Sequence, residues 1–419
     1  MNKLSPQIGF LGLTHLGINS LVAAAEKGFS VVGFDQDINL VEALTNGNID
    51  INEPGLAKTL AKNKSRVSFS NSEYDLYGCS ILYISADVPT NEFGVSDLSP
   101  IDDLVDQVLA FIKPSQVLVI LCQVPPGFTR KVFEKHNNTI YQVETLIFGR
   151  AMERALFPER FILGVPQKNN LSQKLQEYLA AFNCPVIEMA FESAELSKTA
   201  INLMLAANVS VANTLAEVCE KINADWSEIV PALRLDKRIG QYSYIEAGLG
   251  LSGGNIERDL KTVSNLAVQT KSDPRVVDSF ILNSAKRKSW LADCFQEISA
   301  QHENIKIGVL GLAYKKDTHS TKNSPALELI KSTYDATVKA YDPAVKDLPG
   351  HSNVILCKNP LDAADGADAV FFATPWDEFL DINGVELLRA MKHSIIVDPY
   401  GIRPDLKTLS SSYFRLGRG

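Results

Sequence analysis

A glycine-bearing turn between two short apolar runs, answered by an aspartate 18 residues past its last glycine, constrains this chain more than any other feature. Residues Gln7–Leu11 read as a strand, and Leu16–Lys27 carries apolar residues at helical spacing and stops at Gly28, a favourable C-cap. Ser30–Phe34 is a second apolar strand that ends in Asp35. The whole is a βαβ unit of about 30 residues, which commits the N-terminal part to a parallel sheet flanked by helices.

The pattern continues. Strands are expected at Ile81–Ser85, Val117–Leu121 and Phe161–Val165, with helical patterns such as Pro100–Phe111 between them. Alternation of this kind predicts a doubly wound parallel sheet. Texture then changes: Ser193–Asn223 contains no Pro or Gly and is apolar on more than one face, so it predicts one long helix buried between domains or subunits. Another helix covers Trp226–Leu233, a glycine-rich loop spans Gly248–Gly254, and helix resumes to about Gln301. A third section repeats the logic of the first, with strands at Ile305–Leu310 and Thr337–Tyr341, the latter closing on Asp342–Pro343, then Ala369–Ala373 and Ser394–Val397. The fold class is therefore α/β, two Rossmann-like doubly wound domains (residues 1–192 and 301–419) joined by a long central helix and a helical region at 193–300.

A net charge of −8 gives no basic footprint for nucleic acid or an anionic membrane. Met1–Gln7 lacks the basic and apolar regions of an export signal, and the apolar runs Val117–Leu121 and Ala369–Ala373 are too short to span a bilayer. The six cysteines are scattered without metal or disulfide spacing, and no histidine pair has ligand spacing. A cytoplasmic protein with free thiols and no metal is expected.

Gly12-Leu13-Thr14-His15-Leu16-Gly17 stands where a GxGxxG turn should. In the full motif the first glycine makes the turn, the second admits the pyrophosphate and the third lets helix and strand approach. Asp35 would accept the adenosine ribose hydroxyls and disfavour a 2′-phosphate, which points to NAD. Thr14 replaces the second glycine, and its Cβ crowds the pyrophosphate position. The alternative is a Rossmann-like domain that no longer binds NAD tightly.

Ordered segments elsewhere carry a family resemblance. They are Asn52-Glu53-Pro54-Gly55-Leu56; Val88-Pro89-Thr90 with Asp97-Leu98-Ser99; Val124-Pro125-Pro126-Gly127-Phe128-Thr129; and Pro158-Glu159-Arg160-Phe161 with Gly164. Further along come Ala194-Glu195-Leu196-Ser197-Lys198 with Asn202, Leu205-Ala206 and Asn213; Asp236-Lys237-Arg238-Ile239-Gly240; and Gly311-Leu312-Ala313-Tyr314-Lys315 with Asp317-Thr318 and Ser324-Pro325. Together they resemble the UDP-glucose/GDP-mannose dehydrogenase family. The resemblance implies an NAD domain, a central dimerisation domain, a C-terminal domain for a UDP- or GDP-linked sugar, a homodimer through the central helix, and a place in polysaccharide biosynthesis.

The family's oxidation to a uronate runs through a cysteine thiolate, and here the corresponding position is Asn255 in Gly248-Leu249-Gly250-Leu251-Ser252-Gly253-Gly254-Asn255-Ile256-Glu257-Arg258-Asp259. A carboxamide is no nucleophile; Asn255 can only hydrogen-bond a substrate oxygen. By resemblance, Lys198 and Asn202 share one helix face, stabilise an oxyanion and position a water that Asp259 orients. Glu144 is a candidate general base; its alternative is an ordinary surface residue, as a solvated helix charge is for Lys198. His15, Leu16, Pro89, Thr90 and Gln123, which replaces a threonine, would line the cofactor. Lys322 stands for an arginine expected at the pyrophosphate, giving up a bidentate fork for a point charge. Arg238, reaching across the dimer, with Tyr244, Gly250, Gly253, Arg258 (for a lysine) and Lys315, would contact the substrate. Cys122, at a strand end, is either a relocated nucleophile or a small buried hydrophobe. The resulting expectation is a two-electron oxidation of an alcohol on a nucleotide sugar. The alternative is a silent sugar-nucleotide-binding paralogue or partner of an active dehydrogenase.

Overall fold

The computed structural model describes residues 6–51, 53–89, 96–252, 255–302, 304–333, 336–351 and 353–419. Two compact units, Met1–Ile201 and Asn202–Gly419, divide within the long helix. The expected helical region and C-terminal domain therefore belong to one unit.

The first unit is built on an eight-stranded sheet in the order β3-β2-β1-β4-β5-β6-β7-β8. Its strands are β1 (Ile8–Leu11), β2 (Val31–Phe34), β3 (Val67–Ser70), β4 (Ile81–Ile84), β5 (Val117–Ile120), β6 (Thr139–Gln142), β7 (Phe161–Gly164) and β8 (Val186–Met189). The order turns outward from β1, so the carboxyl ends of β1 and β4 flank a switch point, the place where such sheets bind ligands. Strands β1, β2, β4 and β5 are wholly buried, which is why they read as unbroken apolar runs. One expectation is corrected: β6 and β7 pair antiparallel. The chain between them makes a short excursion through the helix Ala151–Leu156 and never crosses the sheet, so it returns in the opposite sense.

The second unit holds most of the helix Phe191–Ile222, the helices Trp226–Leu235, Asn255–Gln269, Arg275–Lys288 and Trp290–Ser299, and a six-stranded sheet. That sheet runs β11-β10-β9-β12-β13-β14, the same outward order, with β9 (Lys306–Leu310), β10 (Thr337–Tyr341), β11 (Val354–Leu356), β12 (Ala369–Phe372), β13 (Ile395–Val397) and β14 (Ser412–Phe414) all paired parallel. The helix Phe191–Ile222 has 32 residues and is long and apolar enough to cross a membrane by composition, though 39% of its most apolar window is buried within the chain.

The two halves share their turn chemistry as well as their strand order. Gly12 (φ +89°) and Gly311 (φ +98°) both adopt a conformation suited to glycine, and a Cβ there would lie 2.6 Å from Ala86 Cβ and 2.4 Å from Thr374 Cβ. In each half the aspartate ending the second strand turns back to the glycine turn. Asp35 accepts Leu13 N at 2.9 Å, and Asp342 accepts Leu312 N at 2.7 Å and Ala313 N at 3.0 Å.

Candidate active site

The cofactor turn can be tested against a dinucleotide residue by residue. A Cβ on Gly17 would stand 1.9 Å from Gly12 O, so both outer glycines are required for helix His15–Glu26 to approach β1. Asp35, half-buried at the end of β2, uses Oδ2 for Leu13 N and Oδ1 for Asp37 N, which holds its carboxylate at the mouth of the turn. Beside it opens a recess of about 470 Å³ lined by Phe34, Gln36, Ser72, Tyr74 and Gln107, of a size and polarity suited to adenosine. These features fit NAD.

The fit departs at the helix N-terminus. Thr14 is the N-cap, but its side chain caps nothing in its own helix. Its hydroxyl accepts Asp87 N at 2.8 Å, and the Asp87 carboxylate in turn accepts Leu16 N at 3.2 Å. A helix N-terminus attracts anions through its unpaired N–H groups. Here a carboxylate of the chain already holds one of them. His15 turns away to Glu53, Nε2 to Oε1 2.9 Å, and stacks on Phe148 at 4.3 Å. Glu53, almost wholly buried, also accepts Gly149 N and Ala151 N, pinning the segment after Glu144 to the turn. Pro89 is exposed, Gln123 is half-buried beyond β5, and Thr90 lies outside the described residues.

In the same unit Lys198 Nζ lies 3.2 Å from Glu144 Oε2, with side chains only 14% and 17% exposed. Neither is a solvated surface charge. The segment beyond β6 delivers Glu144, and the first turns of the long helix deliver Lys198. Glu195, one turn before Lys198, is buried and accepts Gly127 N at 2.6 Å and Thr129 N at 2.7 Å. Burial raises its carboxyl above the usual range, while those N–H groups oppose the shift. Cys122 is fully buried with its thiol against Ile84 O, and burial pushes its pKa well up, so it is a packing residue and no nucleophile.

In the second unit, Asn202 Nδ2 donates to Asp259 Oδ2, and Arg258 Nε donates to Asp259 Oδ1 at 3.1 Å. All three are buried, and Asp259 completely so. Arg258 is thus engaged with its neighbour's carboxylate. Asn255 is exposed at the start of helix Asn255–Gln269. Gly250 (φ +77°) packs against Ser284 O, where a Cβ would come within 2.5 Å, and Gly253 lies outside the described residues. Tyr244 is half exposed. Arg238 is almost wholly exposed and grips Asp236 with two bonds of 3.0 and 2.6 Å. Lys315 stands over Tyr314 on the turn after β9, and Lys322 is exposed on the segment leading to Ser324. Among the described residues no three His, Cys, Asp or Glu side chains come together as a metal site.

Two residues of the first unit escaped sequence reasoning. Asp87 has a visible signal, an acid just beyond the end of the apolar strand Ile81–Ile84, but its partner is 71 residues away. Glu53 stands in the sequence only as part of a motif, and its contacts to His15, Gly149 N and Ala151 N need the folded turn.

Comparison with known proteins agrees with this architecture. Family models of the UDP-glucose/GDP-mannose dehydrogenase family match in order: its NAD binding domain at residues 6–182, its central domain at 192–284 and its UDP binding domain at 308–404. A UDP-glucose 6-dehydrogenase of Rickettsia typhi is 29% identical over 98% of this chain and 99% of its own. The structure of a UDP-glucose dehydrogenase from Pyrobaculum islandicum superposes with a TM-score of 0.87 at 25% identity, covering 98% and 97% of the two chains. A UDP-D-ManNAc dehydrogenase from Pyrococcus horikoshii shares the fold, with a TM-score of 0.85 at 22% identity over 99% of each chain. With all three domains matched in sequence and the cofactor turn built for a dinucleotide, the chain belongs to the UDP-glucose/GDP-mannose dehydrogenase family, with NAD as its cofactor.

Proposed function

We propose that the protein is a cytoplasmic, homodimeric dehydrogenase that oxidises an alcohol of a UDP- or GDP-linked sugar by two electrons, yielding an aldehyde or ketone. The observation that carries this reading is the half-buried Glu144–Lys198 pair, kept in a chain that has asparagine at the nucleophile's position. NAD, when bound, accepts the hydride. The hydroxyl proton passes to Glu144, and the Lys198 ammonium stabilises the negative charge developing on oxygen. Asn255 can donate a hydrogen bond to a sugar oxygen but cannot form the thioester of the cysteine-dependent four-electron route. Asp259, held by Asn202 and Arg258, serves as a fixed carboxylate that orients a water or hydroxyl.

The dimer rests on the long helix. Met204, Val211, Leu215, Val218 and Ile222 are exposed and fall on one stripe at helical spacing, while Asn213 on another face binds Gly248 N at 2.8 Å. A second copy covering that stripe would bury what a single chain leaves in water.

A second reading, a silent paralogue that binds a nucleotide sugar, is favoured by one observation: Asp87 on Leu16 N opposes a pyrophosphate at the helix N-terminus. Incubation with NAD and a panel of UDP- and GDP-linked sugars, followed by NADH absorbance and mass spectrometry of the sugar, separates the two. One NADH per sugar with a carbonyl product supports the dehydrogenase. Micromolar sugar-nucleotide binding with no NADH supports the silent paralogue.

A further inference from the structure

In the second unit the C-terminal end of the long helix, the helices Arg275–Lys288 and Trp290–Ser299, and the strand β14 with the residues after it enclose a cavity of about 560 Å³. None of the cofactor, sugar or reaction residues described above lines it. Six basic and four acidic side chains do, so its wall carries excess positive charge. Three of the cations are paired, Lys286 with Glu217 at 2.7 Å, Arg287 with Glu220 at 3.2 Å and Arg418 with Asp225 at 3.7 Å. Lys221, Lys407 and Arg415 form no ion pair among the described residues.

Arg287 supplies the second observation. It is 2% exposed, yet its Nε has no hydrogen-bond partner among the described residues. Buried guanidinium donors are rarely left unspent, because the group loses water without replacement. Glu220 meets Arg287 through Nη2 alone, on the same Oε1 that accepts Gly417 N at 2.8 Å. Trp290 and Phe414, both half-buried, give the cavity a flat apolar wall. Cations around an unspent buried donor suit phosphate oxygens, and the aromatic wall suits a planar ring.

We propose that this cavity binds a small phosphate-bearing metabolite of nucleotide class, at a site separate from the cofactor and sugar sites. The helix Arg275–Lys288 gives such a ligand a route to the reaction loop. Three residues before Arg287, Ser284 Oγ accepts Leu251 N at 2.8 Å, and one residue after it Lys288 pairs with Glu257. A ligand that takes up Arg287 therefore pulls on the helix that also anchors the segment around Asn255.

The test reads the cavity directly and does not depend on turnover. The chain has three tryptophans, of which only Trp290 lines this cavity. Intrinsic fluorescence is titrated with inorganic phosphate, inorganic pyrophosphate and UMP, in the parent protein and in Trp290→Phe. The expected result is a saturable change with at least one probe that disappears in Trp290→Phe. Lys221→Ala/Lys407→Ala, which removes two exposed charges and leaves the packing intact, should weaken it about tenfold, the scale of two lost charge-assisted contacts. Arg287→Gln should abolish it, and the exposed double variant decides the matter should Arg287→Gln fail to fold. Retention of the change in Trp290→Phe, indifference to the double variant, or no saturable change with any probe would overturn the proposal.

Discussion

The hydroxyl of Thr14 accepts the backbone N–H of Asp87 at 2.8 Å, and so carries the Asp87 carboxylate onto Leu16 N at the opening of the first helix. The residue that departs from the glycine motif thus also recruits a negative charge to the place where a pyrophosphate is held. Charges at a helix N-terminus are worth about 0.3–1 kcal/mol. Asp87→Ala should therefore tighten NAD binding about two- to fivefold, and Thr14→Gly, which removes both the Cβ and the latch, by at least as much. Calorimetric titration of NAD into each variant measures this; an unchanged or weaker affinity in both would remove Asp87 as an obstacle.

Lys198 and Glu144 make a different kind of prediction, because their pairing concerns the reacting oxygen. Lys198→Ala should lower kcat about 100- to 1,000-fold, the range seen when one donor to a developing oxyanion is lost. Sugar-nucleotide affinity should hardly move. Glu144→Gln should also cut kcat, since a carboxamide cannot take the hydroxyl proton. An unchanged kcat in Glu144→Gln would exclude Glu144 as the base.

Much of this was legible in advance, and what was legible has a pattern. Gly12, Gly17 and Asp35 are fixed by local backbone geometry, within one βαβ unit, and sequence spacing reports such geometry directly. The buried strands announced themselves as apolar runs. The edge strands β3 and β8 did not, because residues such as Ser68, Val186 and Ile187 face solvent in part and leave no clean period. Glu144 looked like a surface acid for the same reason: nothing near it in sequence predicts that Lys198, 54 residues on, folds against it. Asp87 was missed because its two partners sit in the first turn of the chain.

Two carboxylates one turn apart on the long helix carry opposite pH signatures. Arg130 holds Glu192 down at about 2, so this exposed pair adds its modest stability above about pH 4.5 and loses it as pH falls. Glu195 is raised by burial instead, so the folded state resists its ionisation, and stability is lost as pH rises from about 4.5 through the raised value. Glu195→Gln removes that penalty. Its Tm relative to the parent should improve progressively between about pH 4 and about pH 7, whereas Glu192→Gln should show no such gain. Differential scanning calorimetry across that range distinguishes them.

The last prediction concerns what the missing cysteine costs. Asn255 opens the 15-residue helix Asn255–Gln269, and a thiol placed there would sit at a helix N-terminus, where the thiolate is stabilised. The anion is the form that captures an aldehyde, and a thioester formed by a second hydride transfer can be released by water. The surrounding groups persist: Asp259 is buried and held by Asn202 and Arg258, and the loop is tied to Ser284 through Leu251 N. Asn255→Cys should therefore move the NADH yield from about one toward about two per sugar, with a uronate as the new product. Iodoacetamide should abolish the second equivalent only, because the first oxidation needs no thiol. If the variant still stops at one equivalent while the parent oxidises the sugar, more than the nucleophile has diverged, and Gln123 and Arg258, which replace the family's threonine and lysine, become the next residues to restore.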